Sequence, residues 1–318
     1  MEQLSNLFKI AVPGSILNYT FFISTGGILI SLYYFLASML KKVKFYEKLC
    51  LQCIRMSFFA FLIYGIFEII MFFYSQKLLK YSFKLEEIKN LFLKNIYLLS
   101  SVSAILISGL LLFILFLSSK KLIKYKVIYV IFIVIISFLM WGGIYLIIQL
   151  KYLYLANEAL DVKQLNLYDL FVPKNVSGVF LFWNYLFLSL AIAGAYLVFY
   201  LLLRRNKDDF GRDYYKFSVS NSSKWVFSYI FAFIMLCGEI YYFYGEFKLI
   251  PQIILLLLGI MLFLIIVSIV LGIKLAHSNL PLRLKEIIII KPVLGFFICG
   301  IFIYILIFEY KDLILGKL

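Results

Sequence analysis

Two carboxylates, Glu68 and Glu239, stand alone inside long apolar runs, and each follows a Phe-Ala-Phe string, Phe59-Ala60-Phe61 and Phe231-Ala232-Phe233. An ionisable side chain in such a run is costly unless it faces protein, pairs or binds something, so both acids mark candidate function. Two asparagine–tyrosine pairs, Asn18-Tyr19 and Asn184-Tyr185, open two other apolar runs. Together these types suit proton transfer at a hydrogen-bonded oxygen: a sheltered carboxylate relays the proton while Asn and Tyr hold the oxygens. Trp141, Trp183 and Gln149 fall where they could line the same region, although the aromatics equally suit an interfacial belt. The simplest competing role for each glutamate is an interhelical polar contact or a reach to the headgroups.

Other chemistries find little support. The single histidine, His277, follows Lys274 in a basic loop and suits a surface role better than metal or haem ligation. Cys50 and Cys53 form a CxxC beside one end of an apolar run, but Cys237 falls near the opposite end of its run and Cys299 inside another, so four thiolates do not assemble around a metal. The sequence holds no CxxCH, Gly-rich phosphate loop, HExxH or Ser-His-Asp pattern. Asn175-Val176-Ser177 matches the short glycosylation pattern, which depends on a secretory context.

The elements that must position these residues follow from composition. Of 318 residues, 64% are hydrophobic and 15% charged, far from soluble-domain values. Eight apolar segments reach the roughly 20 residues a spanning helix needs: 11–40, 54–74, 96–119, 126–150, 178–203, 225–244, 250–273 and 288–309. The first lacks a small-residue cleavage pattern and reads as a retained helix rather than a signal peptide. Pro13, Pro251 and Pro292 fall at segment starts, where a missing N–H costs little. No polar stretch is long enough for a soluble enzymatic domain.

The net charge of +15 does not point to nucleic acid, because it is concentrated in alternate loops. Loops 41–53, 120–126, 204–224 and 274–287 are basic, whereas 151–177 and 245–249 are balanced and 75–95 only modestly basic. The positive-inside rule then places the basic loops in the cytoplasm and both termini on the non-cytoplasmic side of an inner (cytoplasmic) membrane. The long outer connection 151–177 is expected to carry a short interfacial helix ending before Pro173.

The segments also repeat. The first and fifth share an Asn-Tyr opening, small residues (Gly26-Gly27; Ala193-Gly194), later tyrosines and a dibasic end (Lys41-Lys42; Arg204-Arg205). The asparagines lie 166 residues apart and the acids 171. Four helices per unit is an even number, so both halves must share one orientation. The expectation is an all-α polytopic protein of eight transmembrane helices in two parallel-repeat four-helix bundles. Its parts are a first bundle at 1–150, an outer connection at 151–177 and a second bundle at 178–318. Gly26, Gly27, Ala191, Ala193 and Gly194 suit close helix packing.

Two families are similar on particular residues. The run Asn18-Tyr19-Thr20-Phe21-Phe22, the string Phe182-Trp183-Asn184-Tyr185, the stretch from Leu170-Phe171 to Arg204-Arg205 and Gly238-Glu239 resemble subunit I of cytochrome bd quinol oxidases. In that family histidines ligate haem at positions resembling Asn18 and Asn184. The histidines, a ninth helix and a large quinol-binding loop are missing here, so the resemblance implies a haem-free relative. The run Tyr185 through Tyr196 also resembles the NrfD/PsrC-like membrane subunit of respiratory reductase complexes, and Glu68 corresponds loosely to that family's acidic end of helix 2. Both resemblances imply quinone chemistry near the outer face, with electrons handed to a partner.

These lines together predict a subunit of a respiratory redox complex that binds quinone or menaquinone and holds no haem or metal. Glu68 and Glu239 would relay protons; Asn18, Tyr19, Asn184, Tyr185, Trp141 and Gln149 would hold the head group. Other membrane subunits, lipids and a haem- or iron–sulfur-containing electron-transfer subunit would be its partners, and the chain would not be catalytic alone. An ion-coupled membrane transporter and a non-catalytic structural subunit are the alternatives.

Overall fold

The computed structural model describes residues 2–78, 96–156, 176–208, 210–245 and 250–309. Within them the chain is all-α, and eight helical spans are long and apolar enough to cross a membrane. The helices are α1 (Glu2–Lys41), α2 (Lys44–Leu78), α3 (Ile96–Leu122), α4 (Lys126–Ala156), α5 (Val176–Arg204), α6 (Arg212–Ser223), α7 (Ser228–Tyr244), α8 (Gln252–His277) and α9 (Lys285–Glu309). A short 3-10 turn, Lys224–Phe227, joins α6 to α7 into one span, Arg212–Tyr244. The expected interfacial helix before Pro173 lies outside the described residues.

Burial sorts the spans. In the first and fifth, 72% and 61% of the apolar window is covered by protein, against 22% in α8. Mean hydropathy runs the other way, 1.6 in the first span and 3.4 in α8. A helix apolar all round faces lipid, whereas a central helix needs small and weakly polar residues for close approach. Helix α1 provides them with Ser24, Ser31 and Ser38, buried at seven-residue intervals. Ser31 and Ser38 satisfy their hydroxyls on carbonyls of the preceding turn, Ile28 and Phe35.

Helices α1 and α5 form the centre. Phe22 meets Tyr185 with ring centroids 5.2 Å apart, and a Cβ on Gly26 would strike the carbonyl oxygen of Ser189. Both contacts advance together along the two helices, so α1 and α5 run parallel. Gly27 lies similarly against Ser57 and Met56 of α2, and Gly194 against Trp225. Around this centre α1 packs on α2 and α4, α2 on α3, and α3 on α4; α5 packs on α7 and α9, and α8 on α6 and α9. Helix α9 also lies against α1.

Several boundaries differ from expectation. The basic stretch 41–53 is almost all helix, because α2 begins at Lys44 and the reversal uses Lys42 at φ 55°. Much of 204–224 is also helical: α6 buries Tyr214, Tyr215, Ser218 and Val219 while its charged residues stay outside. An alternation of aromatic and polar residues hides this amphipathic helix from a search for apolar runs. Pro13 and Pro292 lie inside helices rather than at their starts; only Pro251 precedes one, as the N-cap of α8. The neighbouring helices supply the packing that lets a membrane helix continue through proline.

The basic ends are tied by one acid. Asp208 accepts from Arg204 (2.8 and 2.9 Å) and from Gln52 Nε2 (2.7 Å), and it faces Arg55 at 3.7 Å. Its backbone carbonyl accepts from Tyr215 at 2.7 Å, so α2, α5 and α6 meet there. Partial burial alone would raise the Asp208 pKa, but the hydrogen bonds and positive charges outweigh it and hold the carboxyl below its usual range. A depressed carboxyl contributes stability above its unfolded pKa and loses it as pH falls through the folded value. Asp208→Asn is therefore expected to lower the Tm at pH 7, with the difference from wild type shrinking below about pH 4. Thermal unfolding in detergent at both pH values checks this.

Candidate functional site

One cleft of about 230 Å³ brings together residues of five helices. Leu17, Asn18 and Phe21 come from α1, Tyr64 and Glu68 from α2, and Ile105 from α3. Ile144, Ile147 and Ile148 come from α4, and Leu181 and Tyr185 from α5. The spacing explains the convergence, since residues three or four apart share one helix face. The wall is thus mostly aliphatic, with a few polar groups placed among it.

Those polar groups are organised. Tyr64 donates to Glu68 Oε1 at 2.7 Å, one turn along the same helix. Its ring lies 4.8 Å from that of Phe21, which fixes it against α1. Asn18 donates within its own helix to the Gly14 carbonyl at 2.8 Å and lines the cleft. Tyr185 is held between Phe22 and Phe302 by edge contacts at 5.2 and 5.3 Å. The arrangement offers a carboxylate coupled to a phenol, an amide and a second phenol inside an apolar wall.

Glu68, however, is exposed on the surface of the helix assembly, where the sequence suggested shelter within it. It is a group at the lip of the cleft. Glu239 is fully buried on α7 and does not line the cleft, although it lies within electrostatic reach of Tyr185. Each acid sits near the end of its span, but their surroundings differ completely.

The remaining expected residues disperse. Tyr19 donates to the Pro292 carbonyl at 2.8 Å and ties α1 to α9. Asn184 is buried and donates to the Ala232 carbonyl at 2.6 Å, bolting α5 to α7. Trp141 is buried against Phe182 at 5.8 Å, and its indole N–H has no hydrogen-bond partner among the described residues. Gln149 adjoins the cleft residue Ile148 and is buried with its Nε2 similarly unpartnered. Trp183 is 42% exposed, as a residue facing lipid or its interface would be. Asn184→Ala is expected to cost about 1 kcal/mol through the lost interhelical bond. Thermal unfolding measures it, and Asn18→Ala, whose bond is local, should change stability less.

Asn18 and Asn184 come from corresponding places in the sequence, yet their bonds differ. Asn184 reaches the alanine of its Phe-Ala-Phe string; Asn18 does not reach Ala60 but turns to its own helix and faces the cleft. Two residues escaped the sequence reading. Tyr64 carried a usable signal, a phenol four residues before an acid on one helix face. Lys291 carried another, a lone cation between the apolar strings Ile287-Ile288-Ile289-Ile290 and Val293-Leu294.

Among the described residues no group of three or more His, Cys, Asp or Glu could hold a metal. Cys50 and Cys53 are both buried in α2, with Cys50 Sγ 3.7 Å from Tyr129 Oη, and serve packing. His277 is exposed at the end of α8 and meets the Ile273 carbonyl at 3.0 Å. Comparison with protein families, curated proteins and solved structures gave no match.

Proposed function

We propose that this polytopic membrane protein is a subunit of a respiratory redox complex, binding the ring of a quinone or quinol in the α1–α5 cleft. The observation that carries the reading is the Tyr64–Glu68 hydrogen bond of 2.7 Å at the lip of an otherwise aliphatic cleft holding Asn18 and Tyr185. Drug-sized pockets begin at about 300 Å³, so 230 Å³ suits a ring rather than a whole isoprenoid lipid. The tail would lie in the bilayer. A quinol losing two electrons also loses two protons. Glu68 can accept the two ring protons in turn, because it lines the cleft beside Tyr64, and pass each one outward before the next, because it sits near the end of its span. Asn18 and Tyr185 supply hydrogen bonds to the ring oxygens.

In this reading the electrons leave through a partner subunit carrying haem or an iron–sulfur cluster, because quinol oxidation needs an acceptor within tunnelling reach. Glu239 acts behind Tyr185 as a buried polar group rather than at the ring. A duplicated four-helix unit is part of the same reading. The packing order is alike in both halves, and α1 and α5, the first helix of each, run parallel at the centre. In the second half the Asn184–Ala232 bond closes the position that Asn18 keeps open in the first. The charge of the basic loops supports a cytoplasmic-membrane location with both termini outside the cytoplasm.

Purification in mild detergent followed by lipid extraction tests the reading directly. Expected is a quinone in near-stoichiometric amount, and quenching of tryptophan fluorescence by a short-chain quinone. Asn18→Ala should weaken that binding about tenfold, equivalent to one hydrogen bond of about 1.4 kcal/mol. No extracted quinone and no saturable quenching would remove the proposal.

A further inference from the structure

Around the cleft, most neighbouring helices touch one another. Phe21 of α1 meets Tyr64 of α2 with ring centroids 4.8 Å apart, and Tyr145 of α4 meets Phe182 of α5 at 5.3 Å. A Cβ on Gly143 of α4 would stand 2.9 Å from both the Ile105 side chain and the Ser101 carbonyl oxygen of α3, and Phe22 of α1 meets Tyr185 of α5. The seam between α2 and α3 differs. Away from the cleft it is tightly closed: Phe58 stacks on Phe116 at 4.5 Å, and a Cβ on Gly109 would strike the Phe61 ring. Gly65 and Ile105 each lie four residues, about 6 Å, further toward the cleft, on the same helix faces as Phe61 and Gly109. There the packing stops. Among the described residues nothing stands within 4 Å of a Cβ built on Gly65, while Ile105 lines the cleft.

We infer that the α2–α3 seam at Gly65 and Ile105 is a lateral window through which the cleft takes its ligand from the bilayer, with Gly65 as the residue that admits an isoprenoid tail. The side chains flanking the window are aliphatic and exposed: Leu62, Ile63, Ile66 and Ile69 on α2, Leu106 and Leu110 on α3. Exposed aliphatic surface of this extent on a membrane span faces lipid rather than water. Glu68 borders the window toward the end of the span, so a ring drawn inward past Gly65 comes to rest beside the carboxylate while its tail stays in the seam. Glycine at position 65 leaves room for that tail; any larger side chain would point into the space the tail needs. The isoprenoid character of the tail rests on the quinone reading. The window itself rests on how the helices meet.

The test uses the full chain in proteoliposomes and two quinones with the same ring, one without a tail and one with a long isoprenoid tail, binding being read by tryptophan quenching. Gly65→Phe should bind the tail-less quinone as wild type does. It should bind the long-tailed one about tenfold more weakly, the loss expected when roughly two methylene groups of the tail forfeit their burial. Ile66→Phe, one residue on and facing lipid, should bind both as wild type does. Equal affinities of Gly65→Phe and wild type for the long-tailed quinone overturn the window, and so does an equal loss for both quinones or the same loss in Ile66→Phe. A second measurement needs no ligand: a nitroxide attached at Gly65→Cys, in a Cys237→Ser background, should be relaxed by dissolved oxygen and not by a water-soluble nickel complex. Relaxation by nickel would put water at the seam and overturn the window. If wild type binds neither quinone while the nitroxide reports lipid, the quinone reading falls and the window stands.

Discussion

Gly26→Ala is expected to cost about 2 kcal/mol of stability, more than any other single-methyl addition in α1. The added Cβ would meet the Ser189 carbonyl, and would stand 2.9 Å from the Ala193 side chain. Backbone cannot rotate aside as a flexible side chain can, so α1 and α5 would have to separate. Overpacking of this kind costs roughly 1–3 kcal/mol. Alanine's better helix propensity returns at most about 1 kcal/mol. Gly65→Ala provides the control, because nothing lies within 4 Å of a Cβ built there. That variant should be neutral or slightly stabilising. Fluorescence-detected size exclusion after a temperature series would separate the two. Equal stability of Gly26→Ala and Gly65→Ala would mean that α1 and α5 are not in close backbone contact.

The second large effect concerns Glu68→Gln. Glutamine preserves the size of the group and can still accept from Tyr64, so insertion and quinone binding should change little. What it removes is the capacity to take a proton at the cleft. General-base contributions are typically 10²- to 10⁴-fold, so quinol turnover by the intact complex should fall about 100-fold. Tyr64→Phe, which removes the 2.7 Å bond but keeps the ring against Phe21, should produce a smaller loss. Glu239→Gln separates the roles of the acids. As a buried group outside the cleft it should affect stability more than turnover. Wild-type turnover in Glu68→Gln across the pH range would exclude Glu68 from the reaction and leave a structural or transport role in its place.

The sequence alone determined that this chain is a multi-pass helical membrane protein, because the requirement is one of length and composition. Apolar runs such as 250–273 carry it without reference to any partner residue. It also marked Asn18, Glu68 and Tyr185 as unusual, since polar groups stand out against an apolar background. It could not show that these three share one cleft while Tyr19, Asn184 and Glu239 do not. That depends on helix rotation and on which helices meet, which are set by packing at positions such as Gly26 against Ser189.

Burial was the other matter that only tertiary structure decided. Glu68 and Glu239 have nearly the same sequence surroundings, yet one is exposed at a cleft and the other has no accessible surface. Lys291 illustrates the same point from the opposite side. Ile289 and Ile290 face outward while Lys291, like Ile288 three residues before it, faces inward, because a step of one residue turns the helix by about 100°. Composition places a charge in the membrane; only the fold decides whether water, lipid or protein surrounds it.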